Sequence, residues 1–544
     1  MRRNNRIFLC EMSPFFTSRF EKIKFPLFTV EDSTPAPRVA TLVSLGFGFV
    51  VLAAALRVVF LDWGLPYIYH GDEPLSMAII HRMITESDLD PQNFWYPSFL
   101  YYINLPGQYL VKLWDGTLLP FTMQSTGNGF TEQPEAFRVG RVTTLIFGLA
   151  ILPTLIIWAR MVAVGLAGLF VLGALFCLNP LLIRHSTLIS PDIFATFFTT
   201  GTLLATSLIV LRGVRWTYML AGLMAGLAAS SKYNAGLVAV AIPVAHVIRS
   251  GLSVTKLGPV LLAALTAGLV FLLSDAPFLV LHPLSAPRDV VGQMLDGFLG
   301  QVRHYHHGHP GFEGHTFAAT IGFMFDNFGY AGLLAIGACF SPRARALLPA
   351  ALFIAAYFLL LVLQRVHFDR NILPLVPAML LLIAAGIDPI SQIVARALPN
   401  ARLVTPAILG VLALLLFARP AMLSLDEVSH YRQDPRAEAR VWINAILPRT
   451  PARPIAVEFY TPYIDEEGRA VTPMILALDE PDFSTLAPFS YLVLSKQGSG
   501  RFLQGPYEMQ RAHLAALKAR SCNYRQFPAE TAEPDYWVFA LKCD

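Results

Sequence analysis

Long apolar runs separated by short polar turns occupy most of this chain and stop before its last part. Many of these runs are roughly 20 residues long, which is the length of helix that crosses the hydrocarbon core of a bilayer. The pattern predicts a polytopic α-helical membrane protein with about eleven transmembrane helices. The predicted spans lie near residues 40–62, 139–160, 163–183, 192–211, 215–231, 234–250, 256–281, 315–340, 346–364, 371–388 and 403–419.

Two polar segments between the predicted spans are long. Residues 63–138 contain apolar positions at helical i, i+4 spacing near 75–86 and several aromatic residues near 98–114. Amphipathic rings accumulate in the headgroup layer of a membrane, so we predict two interfacial helices in this segment. The other segment, roughly 282–314, is rich in His, Pro and Gly, and we expect it to be a flexible surface loop.

Residues 420–544 change to a mixture of polar, charged and short apolar stretches. The stretches 455–460, 491–494 and 536–541 are rich in β-branched or aromatic residues and are predicted to be strands. Residues 507–520 are predicted to form a helix. We therefore expect a small α/β domain at the carboxyl end, following a transmembrane domain at 40–419.

The distribution of cations predicts the orientation in the membrane, because Lys and Arg in short loops favour the cytoplasm. The N-terminal tail 1–39 is basic and is not followed by a small-residue cleavage site, so we expect a retained signal-anchor with a cytoplasmic N-terminus. The same side carries Arg160, Arg212, Arg215, Arg249, Lys256, Arg343, Arg345, Arg396 and Arg402. Eleven crossings would then place the first loop, 63–138, and the C-terminal domain outside the cytoplasm.

Two of the five cysteines, Cys522 and Cys543, fall in this C-terminal domain. On the extracytoplasmic side they could form a disulfide worth about 3 kcal/mol, or they could be two free thiols. None of the cysteines shows the spacing of a metal-binding motif.

Composition narrows the class of protein. The chain is 55% hydrophobic and 14% charged, whereas charged residues make up about a quarter of a typical soluble protein. Its formal net charge of +4 is small, and no basic stripe with interleaved aromatic residues is present. We therefore expect a lipid bilayer as partner and no nucleic acid.

A pair of adjacent carboxylates, Asp72 and Glu73, lies about ten residues beyond the first predicted span. His70 and Pro74 flank the pair, and an aromatic stretch containing Tyr96 follows the first predicted interfacial helix. Placing an ionisable residue at a membrane interface costs little free energy, so the position of the pair does not by itself indicate function. The flanking residues and the aromatic stretch are what favour a functional site over a solvated loop.

The segment His-Gly-Asp-Glu-Pro (70–74), followed by Asn-Phe-Trp-Tyr-Pro-Ser (93–98), resembles the first external loop of GT-C superfamily glycosyltransferases. The likeness is to bacterial glycosyltransferase family 39, the bacterial relatives of protein O-mannosyltransferases and of the lipid A aminoarabinose transferase. Further similar segments are 184–186, 190–192, 230–234 and 370–374. The resemblance covers roughly residues 40–390, and Gly71 replaces a proline that is frequent in relatives.

This resemblance implies a GT-C fold, a polyprenyl-phosphate-sugar donor, an external active site and inversion at the anomeric carbon. Sugar transfer needs a base to deprotonate the acceptor hydroxyl. Asp72 matches the first acidic residue of the family and is the expected base. Glu73 is expected to orient the acceptor or to support Asp72.

The leaving group would be an anionic lipid phosphate, which needs cations in a water-poor site. Lys232 and Arg370 are the candidates, because both lie at outer ends of predicted spans. Lys232 could instead extend its amine to the interface. Asp192 could contact the acceptor or stabilise the start of its helix. His70 and Tyr96 complete the expected substrate-binding set.

The histidine-rich loop is the remaining candidate site. His304, His306, His307, His309 and His315 are closely spaced. They could bind a metal, form a flexible surface or, through His304, bind the phosphate or sugar. No matching carboxylate is nearby, so we expect no cofactor, although some relatives use a divalent ion. His282 and His367 are weaker candidates.

The sequence thus predicts an integral-membrane glycosyltransferase that transfers a sugar from a polyprenyl phosphate to a lipid, glycan or protein acceptor. The alternative is a lipid-linked sugar transporter or flippase. Transporters often show internal repeats and polar groups near the midplane, whereas here no repeat is visible and the polar residues cluster at the outer ends of spans. A membrane anchor for the C-terminal domain would not need so many spans. Neither the sugar nor the acceptor is specified by these residues.

Overall fold

The structure is a computed structural model that describes residues 39–125, 127–277, 279, 290–309, 311, 316–397, 405–474, 476–479, 483–503, 506–528 and 535–543. The predicted cytoplasmic tail therefore lies almost wholly outside the described residues, and so do His282 and His315.

Helices dominate the chain up to residue 432. They are α1 (Val39–Val58), α2 (Asp72–Thr85), α3 (Phe99–Asp115), α4 (Pro134–Met161), α5 (Leu166–Cys177), α6 (Pro180–His185), α7 (Asp192–Leu211), α8 (Arg215–Ser231), α9 (Ala241–Ser250), α10 (Gly258–Asp275), α11 (Val290–His307), α12 (Thr316–Phe328), α13 (Ala344–Leu363), α14 (Val376–Ala397), α15 (Thr405–Leu416) and α16 (Ala418–Arg432). Shorter 3-10 segments at Tyr233–Val240, Gly329–Phe340 and Asp369–Leu375 join some of them.

Each of the predicted spans coincides with helical structure. Within the described residues, six helices are long and apolar enough to cross a membrane, and they include α4, α7, α10 and α13. Two further predicted spans fall on shorter apolar helices, Val43–Val58 and Leu166–Cys177. The remaining three fall on α8, on the segment 233–250 and on α15.

Small residues explain why α8 is less apolar than its neighbours. A Cβ added at Gly222 would lie 2.3 Å from the Ala263 carbonyl oxygen, and one at Gly226 would lie 2.6 Å from that of Ala267. These two glycines, four positions apart, therefore let α8 approach the backbone of α10 closely, as in small-xxx-small packing of membrane helices.

The first loop contains α2 and α3, which confirms its two predicted helices, and also a small sheet that the sequence did not predict. Strands β1 (Tyr67–Ile68), β2 (Phe121–Ser125) and β3 (Asn128–Thr131) pair in the antiparallel order β1-β3-β2.

The C-terminal α/β domain is as predicted. Strands β4 (Ile455–Val457), β5 (Val471–Pro473), β6 (Tyr491–Ser495), β7 (Asn523–Phe527) and β8 (Tyr536–Ala540) form one sheet in the order β5-β4-β6-β8-β7. Helix α17 (Pro435–Ile446) covers one face and α18 (Glu508–Arg520) the other. Side chains alternate between the two cores, as pleated strands require. Cys522 and Cys543 form a disulfide, which decides between the two alternatives left open by the sequence.

The prediction that residues 282–314 form a flexible surface loop was wrong for the described part. Residues 290–307 form helix α11, which ends in His304, His306 and His307. A Cβ added at Gly297 of this helix would lie 2.0 Å from the carbonyl oxygen of Phe94, so the helix packs tightly on the first loop. Contact with the first loop thus stabilises this helix, which its content of Gly and His made difficult to predict from the sequence.

Candidate active site

A cavity of 660 Å³ lies where the first loop, α11, the segment Asp369–Leu375 and the C-terminal domain meet. Five of the eight predicted site residues line it, namely His70, Asp72, Tyr96, His304 and Arg370. Glu73, Asp192 and Lys232 are not among its lining residues. The cavity therefore brings together most of the predicted site from segments that are almost 300 positions apart in the sequence, the separation of Asp72 and Arg370 being 298.

An ion pair between Asp72 and Arg370 is the central polar feature of this cavity. Asp72 is the first residue of α2, and Arg370 lies in the 3-10 segment that leads into α14. Arg370 Nη1 donates a hydrogen bond to Asp72 Oδ2. The two side chains keep 21% and 20% of their surface exposed, so a ligand in the cavity can reach both charges.

Electrostatics define the protonation states around the pair. Burial by itself would raise the pKa of Asp72, but the Arg370 guanidinium and the His70 ring lower the pKa below its usual value. Burial lowers the pKa of His70, and its Nδ1 accepts a hydrogen bond of 3.3 Å from the Asp72 backbone N–H. Burial also raises the pKa of Tyr96 well above its usual value. At neutral pH the cavity thus presents a carboxylate, a neutral imidazole and an intact phenol.

Glu73 points into the protein and contacts the bundle. Its side chain is fully buried and binds Arg141 through two hydrogen bonds of 2.9 and 2.8 Å. It also accepts a 3.2 Å hydrogen bond from the Ile189 N–H. Arg141 in turn donates to the carbonyl oxygens of Leu61 and Trp63. This network holds the start of α2 against α4. The contacts of Glu73 are thus with other protein groups, and its role in orienting the acceptor or supporting Asp72 stays a prediction.

Asp192 and Lys232 form a second buried ion pair behind Arg370. Lys232 Nζ lies 2.7 Å from Asp192 Oδ1 and 3.2 Å from Asn371 Oδ1. The Asp192 carboxylate thus accepts a hydrogen bond from Lys232, which lies on a different element of the bundle. Tyr305 also donates to Asn371, at 3.3 Å. The pair therefore fixes the residue next to Arg370, and contact of either member with substrate stays a prediction.

His185 is a lining residue that we did not predict as part of the site. It is 3% exposed, and neither ring nitrogen has a hydrogen-bond partner among the described residues. Burial lowers its pKa to about 3, so the ring is neutral. It lies in the 184–186 segment quoted for the family resemblance, but its unpartnered nitrogens are visible only in three dimensions. Buried polar atoms without partners are rare in native proteins, and this ring faces a cavity that has room for one.

The C-terminal domain supplies part of the cavity wall. Lining residues that follow α17 are Phe459, Tyr460, Leu476, Gln497 and Arg501, and Arg436 of α17 also lines the cavity. The domain is held to the first loop by Trp63, whose Nε1 donates to Asp434 Oδ2 at 2.9 Å, and by Arg436, which donates to the Tyr69 carbonyl oxygen at 2.9 Å. The Arg436 guanidinium also stacks over the Tyr69 ring at 4.3 Å. Sequence reasoning missed this wall because it depends on contacts between distant segments.

The hypothesis that the histidines bind a metal has no support from the part of the chain that is described. There, no group of three or more His, Cys, Asp or Glu side chains is arranged to hold a metal ion. The His304 ring contacts Trp95 and His309, at 5.8 and 5.3 Å between ring centroids. That the chain needs no cofactor stays a prediction.

The helix bundle, the structured first loop and the C-terminal α/β domain together define a multi-pass membrane protein of the GT-C fold. No protein-family model matches the chain, and no curated protein matches it. Among solved structures it resembles ArnT from Cupriavidus metallidurans bound to undecaprenyl phosphate, with a TM-score of 0.51, 13% identity and coverage of 93% of this chain and 98% of that one. It also resembles the same protein in the apo state, with a TM-score of 0.52, 15% identity and coverage of 92% and 98%. The fold predicted from the sequence is thereby confirmed.

Proposed function

We propose that this chain is a membrane glycosyltransferase that transfers one sugar from a polyprenyl-phosphate donor to a lipid, glycan or protein acceptor. The observation that carries the proposal is the Asp72–Arg370 pair, a carboxylate and a guanidinium side by side in one cavity. These are the groups that deprotonation of a hydroxyl and binding of a phosphate require. The fold supports it, because ArnT shares this fold and binds undecaprenyl phosphate.

The chemistry follows from these two charges. The Asp72 carboxylate accepts the proton of the acceptor hydroxyl while the hydroxyl oxygen forms a bond to the anomeric carbon. The bond between that carbon and the phosphate oxygen breaks, and its electron pair leaves with the polyprenyl phosphate. Attack from the face opposite the phosphate inverts the anomeric configuration. Arg370 stabilises the departing anion, since a guanidinium binds phosphate through charge-assisted hydrogen bonds.

Donor binding would also activate the base. In the unliganded site, Arg370 holds the pKa of Asp72 down. When the phosphate accepts hydrogen bonds from Arg370, the carboxylate loses part of this stabilisation and its pKa rises. A carboxylate with a higher pKa is the stronger base, and so deprotonation of the acceptor is favoured only once the donor is in place.

The other predicted site residues receive supporting roles. His70 Nδ1 holds Asp72 by accepting a hydrogen bond from the Asp72 backbone N–H, and Tyr96, His185 and His304 face the space available to the sugar. Glu73 positions α2 through Arg141 rather than touching substrate. Lys232 and Asp192 position the segment that carries Arg370, and of the two predicted cations this placement favours Arg370 over Lys232 as the one that contacts the phosphate.

We place the cavity on the extracytoplasmic side, with the N-terminus in the cytoplasm. The disulfide in the C-terminal domain supports this orientation, because disulfides persist outside the reducing cytoplasm. The cations in the turns on the other side support it independently.

The experiment is incubation of the purified protein, in lipid nanodiscs, with undecaprenyl phosphates carrying radiolabelled mannose, galacturonic acid or aminoarabinose. Each donor is offered with lipid A, core oligosaccharide, a cell-wall glycan or a protein acceptor, with and without EDTA. We expect labelled acceptor in at least one combination, and equal transfer in EDTA. Movement of labelled donor across proteoliposomes without transfer to any acceptor would instead favour the flippase alternative.

A further inference from the structure

A buried carboxylate in the C-terminal domain lies directly behind the cavity wall. Glu458 follows strand β4, and its side chain is fully buried. Its Oε1 accepts hydrogen bonds from the Ala477 N–H at 3.2 Å and the Ser499 hydroxyl at 2.5 Å. Its Oε2 accepts from the N–H groups of Ser495 and Ser499 at 3.1 and 3.0 Å. One carboxylate therefore joins three separate segments of the domain.

These three segments carry the five cavity-lining residues that the domain contributes after α17. Phe459 and Tyr460 follow Glu458 directly, and Leu476 precedes Ala477. Gln497 and Arg501 lie two positions on either side of Ser499. Each donor to Glu458 thus lies one or two positions from a residue of the wall.

The backbone of the same segment also contacts the first loop. Thr461 Oγ1 donates to the Glu458 carbonyl oxygen at 2.9 Å and accepts from Asn128 Nδ2 at 3.1 Å. Tyr460 adopts a φ of +62°, a conformation that an aromatic residue keeps only when its surroundings impose it. A Cβ added at Gly127 would lie 2.8 Å from the Tyr460 ring, so the ring packs closely on the loop.

Burial of a carboxylate costs free energy, so its presence at this position needs a structural reason. Burial raises the pKa of Glu458 to about 7, and the four donors oppose part of this effect. A Cβ added at Gly498 would lie 2.6 Å from Glu458 Oε2, so the turn is shaped to fit the carboxylate. Apolar side chains could fill the same space more cheaply, but they could not fix three backbone segments through directed hydrogen bonds.

We propose that Glu458 is a positioning residue that shapes the domain wall of the cavity for binding of the acceptor. The inference rests on the proposed function. In that proposal the donor phosphate binds Arg370 at the bundle side of the cavity. The substrate that meets the wall built by the C-terminal domain is then the acceptor.

The test uses the full-length protein in nanodiscs and the variant Glu458→Gln, whose amide NH2 would face backbone donors. Hydrogen exchange measures the amides of Ala477, Ser495 and Ser499. We expect exchange about tenfold faster in the variant, the equivalent of one lost hydrogen bond. Ile443→Ala, which opens a space in the core under α17, on the face of the sheet opposite Ala477 and Leu476, is the matched control for a destabilised domain. Unchanged exchange in Glu458→Gln, or equal acceleration in Ile443→Ala, overturns the inference.

Kinetics provide the second measurement, with whichever donor and acceptor of the panel the wild-type protein uses. We expect Glu458→Gln to raise the acceptor KM about tenfold while the Kd of undecaprenyl phosphate stays within about twofold. Ser499→Ala removes only the hydroxyl donor, should keep the fold, and should show a smaller rise. An unchanged acceptor KM in both variants sinks the inference and leaves the proposed function intact. Absence of any transfer by the wild-type protein counts against the proposed function, and the exchange measurement then still tests the positioning role.

Discussion

Arg370 has two partners in the proposed reaction, the Asp72 carboxylate before donor binding and the donor phosphate afterwards. Asp72 acts as a base only when deprotonated, so activity falls as the pH drops through its pKa. Because Arg370 lowers that pKa, its removal should raise it.

Arg370→Gln is therefore expected to move the acid limb of the pH profile of kcat/KM to higher pH and to weaken binding of undecaprenyl phosphate about tenfold or more. Titration of the profile and a binding isotherm measure the two effects. Arg184→Gln, a substitution at another lining arginine that pairs with Asp369 and Glu427, is the control. An acid limb at the same pH in Arg370→Gln would show that the arginine does not act on Asp72.

A second prediction concerns His185, whose ring nitrogens have no partner among the described residues. His185→Phe should lower transfer about tenfold, the effect of one or two lost hydrogen bonds to the sugar. The melting temperature should stay equal or rise, since two unsatisfied polar atoms leave the interior. A lower melting temperature with unchanged transfer would mean that the histidine serves the fold instead.

At this scale the sequence predicted several residues that line the cavity, but it did not predict the contacts between them. Asp72 and Arg370 were both named as site residues from their local motifs. That they pair could not be predicted, because nothing in either motif encodes a contact between them. Glu73 was grouped with Asp72 because the two are adjacent, yet successive residues at a helix start point in different directions. The partner of Glu73, Arg141, lies inside a predicted span and was not considered.

The buried pair of Glu73 and Arg141 joins the start of helix α2 to α4. Removing one partner of such a pair leaves an uncompensated buried charge. We expect Glu73→Gln to lower the free energy of unfolding by about 3–5 kcal/mol, with loss of transfer that follows the folded fraction. Thermal and denaturant unfolding in detergent measure this. The double variant Glu73→Leu with Arg141→Met should recover much of the stability. Loss of transfer in Glu73→Gln at full stability would instead support the catalytic role predicted from sequence.

Elements differ in how far the sequence predicts them. The spans were found because an uninterrupted apolar run of about 20 residues is typical of a membrane-spanning helix and rare in soluble domains. The sheet of the first loop was missed because β1 has two residues and β3 has four, too few for a period-2 pattern. Helix α11 was missed because its stability comes from packing on the first loop rather than from its own composition.

The whole molecule combines a predicted fold with an unpredicted interface. The GT-C fold and the C-terminal α/β domain were both expected. That the domain would complete the cavity was not, because the contacts that dock it, such as Trp63 to Asp434, join residues 371 positions apart. Local patterns in a sequence carry little information on contacts at this separation.

Orientation is a testable property at this scale, and the cysteines provide the probes. Cys522 and Cys543 form a disulfide, whereas Cys339 is free and exposed near the opposite ends of the helices. In intact cells, a membrane-impermeant maleimide should label Cys522 and Cys543 only after reduction, and should label Cys339 only after permeabilisation. Labelling of Cys339 in intact cells would reverse the proposed topology.

The central claim is that Asp72 is the base of a sugar transfer in this cavity. It is tested most directly by comparing the wild-type protein with Asp72→Asn for both transfer and binding of undecaprenyl phosphate. We expect transfer to fall by about 10²–10⁴-fold, the usual contribution of a general base, while the variant stays folded and its affinity for undecaprenyl phosphate is kept or increased because Arg370 is released. Transfer within about twofold of the wild type, in a folded variant, would contradict the account.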